Sequence, residues 1–199
     1  MDSIPGLMYK AYNIITPNAD LPVPLEAVKQ HLNMDELSHA DELIMAYTLS
    51  AVKNIETQYG MAMLTQTIKE YWSAFPSGID APMLLRIQPI QSITSVEYVD
   101  ENGLSQTWSS DEWTYGGYNG TTFITPNPGY TWPSAWNVPN AICVTYIAGY
   151  GDAPADLPWD IGQAVNFMAA DMFAKREDSP QTFTRASENL LRPYYRHAV

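Results

Sequence analysis

The hydrophobic pattern of this chain changes period twice, and those two changes bound what it can fold into. From Pro24 to Gly60 the apolar residues recur every three or four positions, as on a helix face. From Met63 to Ile147 they alternate in short runs rich in Thr, Ile, Val and aromatic residues, as in strands. The stretch YIAGYGDAPADLPWDI, Tyr146 to Ile161, then leaves an apolar run, turns through Gly149 and Gly151, passes Pro154 and Pro158, and returns to a helical period. A chain that begins and ends helical and is strand-like between must bury a helical core and a β core.

The helical segments are three. PLEAVKQHL from Pro24 puts Leu25, Val28 and Leu32 on one face, with proline suited to the helix start. HADELIMAYTLSAVKNIETQYG repeats Ile44, Tyr47, Ala51 and Ile55, sets Asp41 and Glu42 in its first turn, and ends at Gly60. LPWDIGQAVNFMAADMFAKRED carries Ile161, Val165, Met168, Met172 and Phe173 at helical spacing, a stripe read as core, and Gly162 within it marks an expected close helix crossing. Six strands are expected in MLTQTIKEYWSAF, MLLRI, ITSVEYVD, LSQTW, TFIT and AICVTYI, with DENG at Asp100–Gly103 as a hairpin turn. The span from Ser109 to Asn140 is read as surface loop or irregular strand.

With 199 residues and 46% hydrophobic content, the chain can form one domain, or one domain carrying an insertion. No run approaches the roughly 18 apolar residues of a spanning helix, and MDSIPGLMYK lacks an apolar signal core, so a soluble, unsecreted protein is expected. The formal charge of -12 argues against a surface that grips nucleic acid. Its distribution is uneven: Lys175, Arg176, Arg185, Arg192 and Arg196 outnumber Glu177, Asp178 and Glu188 at the C-terminal end, leaving an acidic body with a basic, aromatic tail. Such a tail either docks on something or is a solvated end.

A search for catalytic or metal-binding residues finds none with the right spacing. His31, His39 and His197 lack the helical pairing of a zinc site, and the lone Cys143 is read as a packed strand residue. Adjacent acids such as Asp35 with Glu36 and Asp111 with Glu112 diverge in extended chain. GYG and GGYNG lack the context of phosphate loops. The expectation is no enzyme, no cofactor and no metal. Trp108, Trp113, Tyr115, Tyr118, Tyr130, Trp132 and Trp136 crowd one span, and three readings stay open for them: stacking on sugars, burial in a protein partner, or capping of the β region.

In order and spacing, PLEAVKQHL, DELIMAYTLSAVKNIETQYGMAMLTQTIKEYW, PIQSITSVEYVDENG, YIAGYGDAPADLPWDIGQAV and LLRPYYR together resemble the head-tail connector family of tailed bacteriophages, the adaptors that attach beneath the portal. The resemblance runs from about Pro22 to Arg196, and departs from the family pattern in the aromatic stretch 109–140. It implies an α+β fold: a mainly α-helical connector core interrupted by a β-rich insertion, with an extended C-terminal tail. The corresponding divisions are 1–60, 61–150, 151–185 and 186–199, and the stiff segment after Tyr146 returns the chain to the helical core.

The resemblance further implies a structural, non-enzymatic ring, commonly of twelve subunits, in the neck of a virion. The ring would bind the portal protein on one side and a stopper, tail-tube or other tail component on the other, with DNA passing through its lumen unbound, no membrane contact, and host cytoplasm as the site of assembly. In related adaptors the C-terminal segment reaches the portal, which nominates Arg192, Pro193, Tyr194, Tyr195 and Arg196. Trp113, Tyr130, Trp132 and Trp136 are nominated as a second partner surface. None of residues 193–199 belongs to the three helical stripes, so their removal is expected to spare the fold. The competing class is a carbohydrate- or receptor-binding β-module of a virion or tail, which uses the aromatic loops but gives the helices no role.

Overall fold

The computed structural model describes residues 10–17, 20–34, 40–78, 81–118, 120–174 and 185–195. In chain order the elements are β1 (Lys10–Thr16), α1 (Leu25–His31), α2 (Asp41–Tyr59), β2 (Gln66–Trp72), β3 (Met83–Leu84), β4 (Ile90–Val99), β5 (Ser105–Thr107), β6 (Trp113–Tyr118), β7 (Thr121–Pro126), β8 (Ile142–Ala148), α3 (Trp159–Ala174) and α4 (Arg185–Leu191). They divide into two units: a helical unit from the described residues of 18–65 and 149–199, and a β unit from those of 1–17 and 66–148.

The helical unit is built as the apolar periodicity predicts. Ile44, Ala51 and Ile55 of α2 are buried with Val28 of α1 and with Ile161, Val165, Met168, Met172 and Phe173 of α3. The Tyr47 and Phe173 rings of α2 and α3 meet edge to face at 6.3 Å. Lys29 joins α1 to the first turn of α2 through Asp41 at 2.8 Å. At Gly60, φ 60° and ψ 45° place the chain in the left-handed region that ends α2. Gly162 differs from expectation. A Cβ there would meet Val23 and Leu157 at 3.9 and 4.0 Å, an ordinary contact, so no close crossing requires glycine.

The β unit holds two antiparallel sheets. One has the order β1-β2-β8-β4-β5, and the other β3-β7-β6. The six expected strands are present, and two more join them. β1 pairs along β2 at the edge of the larger sheet, and β6 pairs with β7 inside the span expected to be surface loop or irregular strand. The fold is therefore α+β as anticipated, but its β content exceeds that of a mainly α-helical core. The physical reason is that an edge strand such as KAYNIIT needs only one neighbour and little burial, and WTYGGY keeps a strand's backbone despite two glycines because β7 supplies its ladder partners.

The chain leaves the helical unit after Thr65 and returns at Gly149, and each side of this double passage is tied. Within the β unit Gln66 is in register with Ala148. Within the helical unit Thr65 N–H donates to the Gly151 carbonyl at 2.9 Å and Tyr150 N–H to the Met63 carbonyl at 3.3 Å. Gly149 has φ 136°, and a Cβ there would collide with the Leu64 backbone. Asp156 then closes a short turn by accepting the Ala153 N–H at 3.0 Å, and α3 begins just after Pro158. This stretch holds the two chain passages side by side.

Candidate docking surfaces

As far as Tyr195 the C-terminal segment is not an extended tail. Residues 185–191 form α4, which buries Ser187 and Leu191, and a 3-10 turn follows over Arg192–Tyr194. Leu191 belongs to the core shared with α2 and α3, and Leu190 and Tyr194 pack on it. The Tyr194 hydroxyl donates to both carboxylate oxygens of Asp160, at 2.8 and 2.9 Å, while its ring meets Tyr150 edge-on at 6.4 Å. Burial, the hydrogen bond and the Asp160 charge together push the Tyr194 hydroxyl well above its ordinary pKa. Ser187, Leu190, Leu191 and Tyr194 recur at three and four residues, a stripe only two turns long.

The nominated residues of this segment thus separate. Arg192 and Pro193 are exposed, and Pro193 sits in the turn where a missing N–H costs nothing. Tyr195 is exposed, although its ring meets that of Tyr59 at the end of α2 edge to face, with centroids 6.3 Å apart. Burial, with Glu188 and Tyr195 nearby, raises the Tyr59 hydroxyl in turn. Tyr194 faces its own chain, so its loss would cost the fold as well as any docking. Arg196 lies outside the described residues.

The aromatic set separates in the same way. Trp108 is 3% exposed and packs against Phe75 (5.8 Å), Trp113 (6.4 Å) and Trp132 (5.3 Å). Phe75 in turn stacks on Trp132 at 5.1 Å and meets Tyr98 edge-on at 5.9 Å. Trp113 is buried, and its indole N–H points to the Trp108 carbonyl at 3.4 Å. These rings form a cluster inside the β unit. Trp136 is 52% exposed, and Tyr130 is exposed as well. The Trp136 ring lies over Gly103 at 3.7 Å from where a Cβ would stand. That turn is fixed by Asp100, whose carboxylate accepts the Asn102 and Leu104 N–H groups and the Gln106 amide at 2.9–3.0 Å. The bonds from Leu104 and Gln106 hold the Asp100 carboxyl below its usual pKa.

One buried polar group went unnoticed in the sequence. Along β2, Gln66, Ile68, Glu70 and Trp72 share the inward face, so Glu70 is carried in by strand alternation. Its carboxylate accepts the Tyr146 hydroxyl and the Arg86 N–H, each at 2.9 Å, and Tyr146 accepts the Ile87 N–H at 3.3 Å. Burial and the Glu70 charge drive the Tyr146 hydroxyl far above its ordinary pKa. The network fastens residues 86–87 to the larger sheet, and Arg86 lies 5.1 Å over the Tyr12 ring of β1.

Cys143 is half-buried on the outward face of β8 rather than packed inside, and partial burial raises its thiol pKa. His31 is exposed and stacks edge-on with Phe167 at 5.2 Å, whereas His39 and His197 lie outside the described residues. Among the described residues no group of three or more His, Cys, Asp or Glu side chains could hold a metal ion, and no helix is long and apolar enough to cross a membrane. Charge is segregated further than the tail alone indicates: from Ile87 to Ala174 the chain has no Lys, Arg or His, but it has Glu97, Asp100, Glu101, Asp111, Glu112, Asp152, Asp156, Asp160 and Asp171.

No family model and no curated protein matches this chain. Among solved structures, it is similar to a chain in the virion of a native gene transfer agent particle, with TM-score 0.79 and 21% identity over 94% of this chain and 96% of that one. It is also similar to a chain in the neck of an empty particle of that kind reconstructed with C6 symmetry (TM-score 0.75, 21% identity, 95% and 97% covered). A chain in the neck of the native particle reconstructed with C12 symmetry matches with TM-score 0.76 and 20% identity over the same shares of both chains. These likenesses establish a shared fold running nearly the full length of both chains.

Proposed function

We propose that this chain is a structural neck component of a phage-like particle: a head-tail adaptor whose copies form a ring beneath the portal. The observation that carries this is the shared fold with chains of gene transfer agent virions and necks, in which helical and β units recur together rather than one unit alone. A neck reconstructed with twelve-fold symmetry supports a ring of twelve. The ring joins the capsid to a stopper or tail component, assembles in host cytoplasm and has no catalytic role. A cation-free span of 88 residues suits a channel wall, because a duplex slides past acidic surface without adhering.

Portal attachment is assigned to the exposed part of the C-terminal segment. Arg192 offers bidentate pairing to an acidic group, Tyr195 a ring for burial, and Arg196 a second cation. Pro193 stiffens their approach, and Tyr194 anchors the segment to α3 through Asp160. The test is co-sedimentation of purified protein with DNA-filled, tailless heads. The double change Arg192→Glu with Tyr195→Ala is expected to abolish binding while the thermal melt is unchanged. Full binding by that folded variant would place portal attachment elsewhere.

A further inference from the structure

α2 has an apolar face that its own core does not use. Its inward residues are Ile44, Thr48, Ala51, Val52, Ile55 and Tyr59. On the opposite side Leu43, Met45 and Leu49 are 39%, 41% and 51% exposed, and Ala46 is exposed among them. Leu43, Ala46 and Leu49 follow at three-residue spacing, and Met45 meets Leu49 at four, so they form one patch. From Leu43 to Val52 no residue is charged, and the patch is bounded by Glu42 at one end and Lys53 at the other. The one exposed hydroxyl on it, Ser50, already bonds back to the Ala46 carbonyl at 2.8 Å and makes no demand on water. Among the described residues no other helix or strand carries more than one large exposed hydrophobic side chain. Isolated exposed apolar residues are ordinary, whereas several on one uncharged stretch of helix form a patch of the kind that a partner covers.

We infer that this face of α2, Leu43 to Ser50, seats a second copy of this chain, an inference that rests on the ring reading above. The ring reading selects the occupant, because every copy in a closed ring must contact its neighbours. Each copy carries -12, so neighbouring copies repel except where they meet through uncharged surface, and the α2 face is uncharged with a polar rim. Closing a ring requires two different surfaces on each copy, and the α2 face is one of them. Because like-charge repulsion opposes the contact, added salt strengthens it, the opposite of the response expected for portal docking through arginine.

The test places a photo-crosslinker at Ala46 of the full chain, in particles assembled with it. The expected product is a covalent pair of two copies, with position 46 joined to a different surface of the second copy. Leu49→Lys, at a site already open to solvent, is expected to leave the thermal melt unchanged and to lower incorporation at least about tenfold. Crosslinks only to another neck protein would overturn this inference and leave the ring reading standing. Crosslinks within the same copy only, or normal incorporation of Leu49→Lys, would also overturn it. Absence of the chain from the neck would remove both.

Discussion

The aromatic span of the β unit and the second helix of the helical unit exchange the roles their sequences advertise. Residues 108–136 hold enough Trp and Tyr to look like a binding surface, yet Trp108, Trp113 and Trp132 close on one another and on Phe75. α2 looks like a plain core helix, yet it turns Leu43, Met45 and Leu49 outward. Composition measures how much apolar surface exists. Whether it is covered depends on what arrives to cover it, and in the aromatic span the rings cover one another, with Phe75 joining them from just beyond β2.

The largest effect that would break this contrast is at Trp108. Trp108→Ala removes the centre of a buried cluster and is expected to cost about 3–5 kcal/mol, whereas Trp136→Ala is expected to cost less than about 1 kcal/mol. Urea denaturation followed by tryptophan fluorescence checks both. Equal losses would mean that Trp136 is also core. On a glycan array Trp136→Ala and the parent are expected to be equally blank, and specific binding lost in the variant would favour a sugar-binding role for the exposed rings.

The same opposition recurs in two adjacent residues. Tyr194→Phe removes hydrogen bonds to a carboxylate and is expected to cost about 1–2 kcal/mol, while Tyr195→Phe, at an exposed ring, is expected to cost less. The pH response sharpens the difference. Tyr194 and Tyr146 both have raised hydroxyl pKa values, so the folded state favours their neutral forms. That stabilisation is complete below the ordinary tyrosine value and is lost as pH rises through and beyond it. The urea midpoint is therefore expected to fall between about pH 9 and about pH 11, and to fall less in Tyr194→Phe.

How much of this was open to a reader of the sequence follows from the range of the interactions. The stripes of α1, α2 and α3 and six of the strands are local patterns, and they were legible. β1 was not, because KAYNIIT alternates weakly and becomes a strand only when β2 lies beside it. α4 was hidden by brevity, since seven residues give two turns of periodicity and the proline after Leu191 reads as a break. The nominated site was legible as a segment but not residue by residue. Tyr194 and Tyr195 are the same residue type in neighbouring places, and only the position of Asp160, 34 residues away, assigns one inward.

The smallest effect compares two glycines. Gly162→Ala meets only ordinary contacts inside α3 and is expected to add up to about 1 kcal/mol to stability, whereas Gly149→Ala, with positive φ and a backbone in the way, is destabilising. Thermal melts of both variants check this, and a destabilised Gly162→Ala would reinstate the close crossing.

The neck assignment itself is tested most directly by cryo-EM of the particle that carries this chain, reconstructed at the head-tail junction without imposed symmetry. The expected density is a ring of copies of this fold against the portal, with each α2 face covered by a neighbouring copy. A junction built of other folds, with this chain found elsewhere in the particle or absent from it, would contradict the assignment.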